Sequence, residues 1–164
     1  MANNWVINAS PLILLVKVGY EKLLLDLAEQ AVVPRAVALE IEAGPDDDSA
    51  RRALSAEKFA IVEVAPPAEL LAWDLGTGET AVIAYASQHE GWTAVLDDLA
   101  ARKCAAAFDV SVKGTLSVVI LAKQRGLIDS AADVIREMMG AGYYVDAELV
   151  SRALIDTVGE EWTA

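Results

Sequence analysis

The sequence has one cysteine, one histidine and no long apolar run, and each scarcity removes a class of protein from consideration. Cys104 cannot form a disulfide within the chain, so we expect a reducing compartment and interpret the thiol as a core residue. His89 lacks a nucleophile–base arrangement, and we expect it at the surface or at a helix end. The longest apolar runs, residues 11–16 and 116–122, are too short to span a bilayer, and the first residues lack the basic region of a secretion signal. These features predict a soluble, cytoplasmic protein with no membrane partner.

Basic residues are scarce as well. Thirteen Lys and Arg stand against 25 Asp and Glu, which leaves a formal charge of −12. The overall field therefore repels nucleic acid, because non-specific binding depends on neutralising phosphates with Lys and Arg. Any work on nucleic acid needs a local basic patch, a metal ion or the charge of a partner. A basic peptide would suit this surface equally well.

The order of apolar segments predicts an α/β fold. Short β-rich runs end near residues 7, 33, 64, 96 and 112, and amphipathic segments of helical period separate them. This alternation predicts a three-layer α/β/α domain over residues 1–164, with a central parallel sheet of about four to five strands. Ser10 and Pro11 are typical of an N-cap and a first helical position. The aspartates at 46–48 are predicted to form a solvated turn.

Polar residues follow two of the predicted strands. Asn8 and Ser10 come after the first strand, and Asp97 and Asp98 come after the fourth. Ligand sites in open α/β sheets lie just past the carboxyl ends of strands, so these side chains are expected at one edge. Glu40 and Glu79 border the apolar faces of helices that cross near the same edge. We expect Asn8, Glu40, Glu79 and Asp98 to converge on one pocket at this edge.

Grouped carboxylates repel one another unless a cation lies among them. Oxygen ligands without His or Cys suit Mg²⁺ or Mn²⁺ rather than zinc. Such an ion polarises a phosphoryl oxygen and lowers the pKa of water, so the set points to metal-assisted phosphodiester hydrolysis.

Each acid also has a purely structural interpretation. Asp97 or Asp98 would cap the following helix, and Glu79 would serve the dipole of its own helix. Glu40 would form a salt bridge with Arg35 or Lys17.

Five ordered segments resemble the PIN domain superfamily, in the branch of unknown function that is akin to VapC toxins. The first, V-I-N-A-S-P-L-I-L-L-V-K-V-G, is similar to the opening strand, D-x-S-P-L-I element and apolar helix of that branch. The fourth, V-L-D-D-L-A-A-R-K-C-A, resembles its L-D-D-x-x-A-R-x-x-A element. The resemblance covers nearly the whole chain in the family's order. The matching segments are residues 6–19, 32–40, 76–86, 95–105 and 112–128.

The resemblance implies a Mg²⁺- or Mn²⁺-dependent endoribonuclease, acting on RNA as the toxin of a type II pair and restrained by a small antitoxin. By position, the acidic set is Glu40, Glu79 and Asp98, with Asp97 beside it. Asn8, Glu79, Asp98 and Asp97 would bind the ion. Residues implied to lie near the ion or the substrate are Ser10, Thr115 and Arg102.

Asn8 departs from the family pattern, which places an aspartate there. An amide keeps one oxygen ligand but loses the charge, so the metal affinity should fall. The alternative is therefore a weakened or inactive PIN-like module that binds nucleic acid or protein. A response-regulator or phosphatase domain is disfavoured, because it needs a nucleophilic aspartate at this position.

The early helices carry more apolar positions than one buried stripe requires. Leu25 lies off the stripe formed by Leu23, Leu24 and Leu27. This surplus predicts an exposed patch and hence a homodimer or a toxin–antitoxin assembly. The alternative is that other helices of the same chain cover it.

Overall fold

The computed structural model describes residues 3–44, 48–56 and 58–163. Its strands form one five-stranded parallel sheet with the order β3-β2-β1-β4-β5, and helices cover both faces. The predicted α/β/α architecture is therefore confirmed. The predicted turn at Asp46 and Asp47 lies outside the described residues. The strands are β1 (Asn4–Ile7), β2 (Gln30–Pro34), β3 (Ala60–Val62), β4 (Trp92–Val95) and β5 (Ser111–Lys113).

Helices connect the strands and complete the chain after the last of them. The apolar pattern predicts helices at about 20–29, 35–42, 49–57, 79–88, 99–108, 115–124, 130–139 and 147–158, and the observed limits lie within two residues of these. A short helix after Pro67 was not predicted. The helices are α1 (Ala9–Lys17), α2 (Lys22–Leu27), α3 (Arg35–Ala43), α4 (Asp48–Ser55), α5 (Ala68–Leu71), α6 (Thr77–Gln88), α7 (Leu99–Ala107), α8 (Thr115–Gln124), α9 (Ala131–Gly140) and α10 (Ala147–Val158).

The central strand β1 fixes the geometry of the functional edge. Its residues Trp5, Val6 and Ile7 are fully buried, as expected of a strand covered on both faces. β2 lies on one side of β1 and β4 on the other, both parallel to it. The order of the strands reverses here, and the crevice beyond the carboxyl ends at such a reversal is where ligands bind in open α/β sheets.

The start of α1 differs from the prediction. The helix begins at Ala9, which makes Asn8 the N-cap residue and places Ser10 and Pro11 inside the first turn. Pro11 is tolerated there because the first N–H groups of a helix have no carbonyl partner within it. The assignment of Ser10 as N-cap is therefore wrong.

The early helices expose less apolar surface than predicted. Leu23, Leu24 and Leu27 are buried, and Leu25 is half-buried against the core. α2 packs against α8, so the chain itself covers much of this face. The homodimer stays a prediction, but its expected surface is not supported. Exposed large apolar side chains lie elsewhere, at Leu39, Leu71, Trp73, Leu99, Leu127, Tyr144, Leu149 and Ile155.

Two further expectations concern single residues. Cys104 is fully buried on α7, and burial raises the pKa of its thiol, which fits a core residue. His89 ends α6 at the surface, where its ring stacks on Tyr85 with centroids 4.0 Å apart. Across the described ranges, the helices are too short or too polar to cross a membrane.

Candidate functional site

The carboxyl ends of β1 and β4 bring Asn8 close to the two aspartates. The backbone N–H of Asn8 donates to the carbonyl of Val95, 3.0 Å away. Ile7 is in register with Val95, so Asn8 leaves β1 at the level where β4 continues toward Asp97 and Asp98. Parallel pairing therefore places residues from positions far apart in the chain at one edge of the sheet.

Asn8 has a buried oxygen with no hydrogen-bond donor. Its side chain is only 4% exposed, and its Oδ1 has no partner among the described residues. An asparagine at an N-cap usually accepts an N–H from the next turn, but this one does not. Leaving such an oxygen unpaired costs about 1–3 kcal/mol, so a donor or a cation bound to it would be favourable.

The N-terminus of α6 holds two acids. Gly78 donates its N–H to Oε1 of Glu40 at 2.9 Å, and Gly76 donates its N–H to the carboxylate of Glu79. The second contact is the returning half of a capping box, in which the third helical residue bonds the N-cap amide. The positive end of the helix dipole also favours both charges. Glu79 therefore has the structural role suggested for it, since its charge lies at the positive end of the dipole of its own helix.

Glu79 is nonetheless in an unfavourable environment for a charge. Burial raises the pKa of its carboxyl, and the nearby charges of Asp98 and Glu40 raise it further, whereas the Gly76 hydrogen bond lowers it. The net shift is upward. Three acids from α3, the start of α6 and the end of β4 therefore share one electrostatic environment, which a bound cation would relieve.

The adjacent aspartates face different partners. Asp98 caps α7 by accepting the N–H of Ala101 at 2.9 Å, and its charge reaches Glu79. Asp97 instead accepts the N–H of Thr115 at 2.8 Å and its hydroxyl at 2.5 Å. Asp98 therefore belongs with the Glu79 group, while Asp97 is fixed to the start of α8.

Arg102 and Gly114 complete the surroundings of Asp97. The Arg102 guanidinium lies 3.9 Å from Asp97, close enough for an electrostatic contact but not for a hydrogen bond. A Cβ on Gly114 would collide with this guanidinium, so only glycine allows the approach. Arg102, Thr115 and Asp97 thus form a second polar group beside the Glu79 group.

The remaining predicted residues are peripheral. Ser10 is exposed and lines a hollow that it shares with Lys17 and Asp97. Arg35 pairs with Glu63 at 3.1 Å, so the salt bridge suggested between Arg35 and Glu40 is not formed.

Tyr143 was missed by the sequence analysis. Burial and the charge of Asp97 raise the pKa of its phenol to about 12, against the lowering effects of the Leu116 N–H and of Arg102. The group therefore stays protonated at neutral pH and can donate a hydrogen bond. The only signal in the sequence is the aromatic pair after Gly142, and nothing local relates it to residue 97.

The donor set fits Mg²⁺ or Mn²⁺ with few protein ligands. Among the residues that the structure describes, no three His, Cys, Asp or Glu side chains are arranged to hold one ion. Mg²⁺ does not require this, because it commonly binds one or two carboxylates and completes its shell with water and substrate phosphate. Glu79, Asp98 and the unpaired oxygen of Asn8 supply oxygen donors of the kind that such a site uses.

Gly78→Ala tests how closely α6 must approach Glu40. A Cβ at this position would lie 2.6 Å from Oε1 of Glu40, so the carboxylate must move away. We expect weaker Mn²⁺ binding, by severalfold, without unfolding, since alanine is favoured over glycine in a helix by about 0.5–1 kcal/mol. Calorimetry and thermal unfolding would measure both. Unchanged Mn²⁺ affinity would show that the charge of Glu40 does not act on the ion, and it would leave only the proton-accepting role for this residue.

Comparisons with known proteins agree with this architecture. The family model DUF3368, described as a PIN domain, matches residues 4–160. The crystal structure of PAE2754 from Pyrobaculum aerophilum is similar over 75% of this chain and 92% of that chain, with 18% sequence identity and a TM-score of 0.51. At that identity the similarity concerns the fold alone. A search of curated proteins found no match.

Proposed function

The chain belongs to the PIN domain family, whose members are generally nucleases, and on this premise we propose that it is a metal-dependent endoribonuclease. It would hydrolyse RNA phosphodiesters with Mg²⁺ or Mn²⁺. The observation that carries the proposal is the position of Glu79, whose carboxyl pKa is raised by burial and by the charges of Asp98 and Glu40. Carboxylates this close together destabilise the protein when no cation is present. With a cation bound, the same carboxylates become its ligands.

The residues have distinct roles in this proposal. Glu79, Asp98 and the Oδ1 of Asn8 would hold the ion, which would polarise a phosphoryl oxygen and favour attack by water. Glu40 keeps one oxygen on Gly78 and uses the other to accept the proton of the attacking water.

Asp97 acts through its neighbours in the same proposal. It orients Thr115 and Arg102, and the guanidinium faces the phosphate and offsets its charge. The protonated phenol of Tyr143 donates a hydrogen bond on the same side.

The toxin role and the partners are part of the same proposal. The resemblance to VapC-like proteins suggests a toxin restrained by a small antitoxin. A charge of −12 would attract a basic antitoxin segment. A homodimer remains the predicted oligomeric state.

Asn8 favours a second candidate function. A neutral amide replaces the carboxylate that the family places at this strand end, so affinity for the ion is lower than in its relatives. The alternative is a weakened or inactive domain that binds RNA or protein without cleaving RNA.

Cleavage of labelled RNA by the purified protein tests the choice. We expect slow endonucleolytic cleavage in Mn²⁺ or Mg²⁺ and none in a chelator, because the acids alone cannot offset the charge that develops on the phosphate. Product sizes on a gel would distinguish internal cuts from removal of terminal nucleotides. Binding of RNA without cleavage at any metal concentration would favour the alternative, and cleavage that survives the chelator would contradict the metal requirement.

A further inference from the structure

Two hollows flank Asp97 and share residues with each other. The larger, of about 780 Å³, lies between the ends of β4 and β5, α8 and α10, and the smaller, of about 360 Å³, lies beside α1. Asp97, Tyr143 and Tyr144 line both of them. Because these residues are common to the two, the hollows form one groove that passes Asp97, the chain neighbour of Asp98.

The charge balance in this groove is the reverse of that in the whole chain. Three basic side chains line it, namely Lys17, Arg102 and Lys113, and we call them the groove cations. Among its described lining residues only Asp97 and Asp146 are acidic, whereas the chain has 25 acidic and 13 basic residues.

Both acids of the groove already have partners. Asp97 binds Thr115, and Asp146 caps α10 through the N–H groups of Glu148 and Leu149. Within the described part of the chain, Lys17 and Lys113 have no ion-pair partner. The groove therefore carries three positive charges against two negative ones on an acidic protein, and Lys17 and Lys113 are available to a phosphate while Arg102 lies 3.9 Å from Asp97.

Two adjacent tyrosines line the groove, and they differ in how much of each side chain is exposed to solvent. Tyr143 is half-buried and its phenol accepts the N–H of Leu116, which anchors the segment to the start of α8. Tyr144 is 95% exposed, so nearly its whole ring faces solvent. An exposed aromatic ring in a groove lined by cations is the arrangement that binds the bases and phosphates of single strands.

We propose that single-stranded RNA runs along this groove past Asp97, stacking a base on Tyr144 and placing its phosphates against the groove cations. This deepens the proposed ribonuclease function and rests on it for the identity of the ligand. The bases of a duplex are already stacked and hide their faces, so Tyr144 selects single strands. Every base has a π-face, so the contact with Tyr144 discriminates little between sequences.

Measuring RNA binding in the presence of a chelator tests this proposal separately from catalysis, because no metal ion is then available for cleavage. The probe is a fluorescent single-stranded RNA of about 12 nucleotides, compared with its blunt duplex by anisotropy at low salt. We expect the wild type to prefer the single strand. Tyr144→Ala should weaken that binding about tenfold, whereas Tyr144→Phe, which keeps the ring, should stay within about twofold.

Charge variants supply the second readout. Lys113→Ala should weaken binding and lower the slope of log affinity against log salt by about 0.7, the value for one phosphate contact on a single strand. Lys103→Ala on α7 removes the same charge outside the groove lining and should change the slope less. Leu127→Ala removes an exposed apolar side chain elsewhere and should bind RNA like the wild type.

The outcomes separate the two hypotheses. Loss of binding with Tyr144→Ala but not Tyr144→Phe supports the groove, even if no metal produces cleavage and the ribonuclease proposal fails. Equal binding of duplex and single strand, no binding at all, or an unaffected Tyr144→Ala variant would overturn the groove. The proposal would also be overturned if Tyr144→Ala left RNA binding unchanged and altered only the self-association measured by light scattering. That result would identify the groove as a protein interface.

Discussion

Glu79→Gln is expected to lower RNA cleavage by at least about 100-fold, the low end for loss of a catalytic carboxylate. Glutamine keeps the size of the side chain and a carbonyl oxygen for the Gly76 N–H, so α6 should start as before. What disappears is the negative charge beside Asp98 and Glu40 that would hold the ion. Single-turnover cleavage in saturating Mn²⁺ would measure the loss.

The same variant should be more stable than the wild type at neutral pH without metal. The pKa of Glu79 is raised above its ordinary value of 4.5 in the folded protein. Its contribution to stability is therefore fully present below about pH 4.5 and is lost as the pH rises through the folded pKa. Glutamine never acquires the charge, so its advantage should grow from acid to neutral pH.

Thermal unfolding of both proteins in a chelator, from acid to neutral pH, would test whether the variant is the more stable one at neutral pH. Glu69→Gln is the control, because Glu69 lies in the first turn of α5, exposed and outside the Glu79 group. Added Mn²⁺ should reverse the order by stabilising the wild type more than the variant. A Glu79→Gln protein that is less stable than the wild type at pH 7 would mean that the acids are not crowded as described.

Asn8→Asp is expected to strengthen Mn²⁺ binding about tenfold and to raise cleavage. A charged ligand commonly exceeds a neutral amide by about 1 kcal/mol or more, and the site is shielded from the screening that acts at the surface. Without metal the new carboxylate is buried at the sheet edge where Asp97 and Asp98 follow the neighbouring strand, so the apo variant should be less stable than the wild type. Calorimetry and thermal shift at one pH and ionic strength would measure both effects.

Asn4→Asp provides the matched control. Asn4 lies at the opposite end of β1, and its Oδ1 is also buried without a hydrogen-bond partner among the described residues. The same change there should leave Mn²⁺ affinity near the wild-type value. If both variants gain affinity equally, the effect is one of net charge, and Asn8 does not face the ion.

Local patterns in the sequence were sufficient for most of the fold. The apolar period distinguishes strands from helices, and alternating elements require parallel strands joined by crossover helices. The helix Ala147–Val158 was predicted with its observed limits, and in the structure Asp146 caps its start while Gly159 ends it in the left-handed region. The helix Ala68–Leu71 was missed because four residues after two prolines carry no period.

The sequence also determined which residues could form a site. Asn8, Asp97 and Asp98 follow strands directly, and parallel strands all present their carboxyl ends at one edge. Glu40 and Glu79 were identified because each acid borders an apolar helix face. These inferences need only the order of elements, which the chain encodes locally.

Only the tertiary structure decided which partner each of the two adjacent aspartates contacts. Asp97 and Asp98 are neighbours in the chain, yet Asp97 binds Thr115 while Asp98 acts on Glu79. Successive side chains leaving a strand point in different directions, and the partners come from helices that begin at residues 77 and 115. The position of Tyr143 beside Asp97 has the same origin. Such contacts depend on how helices pack across the sheet, and no local period records that packing.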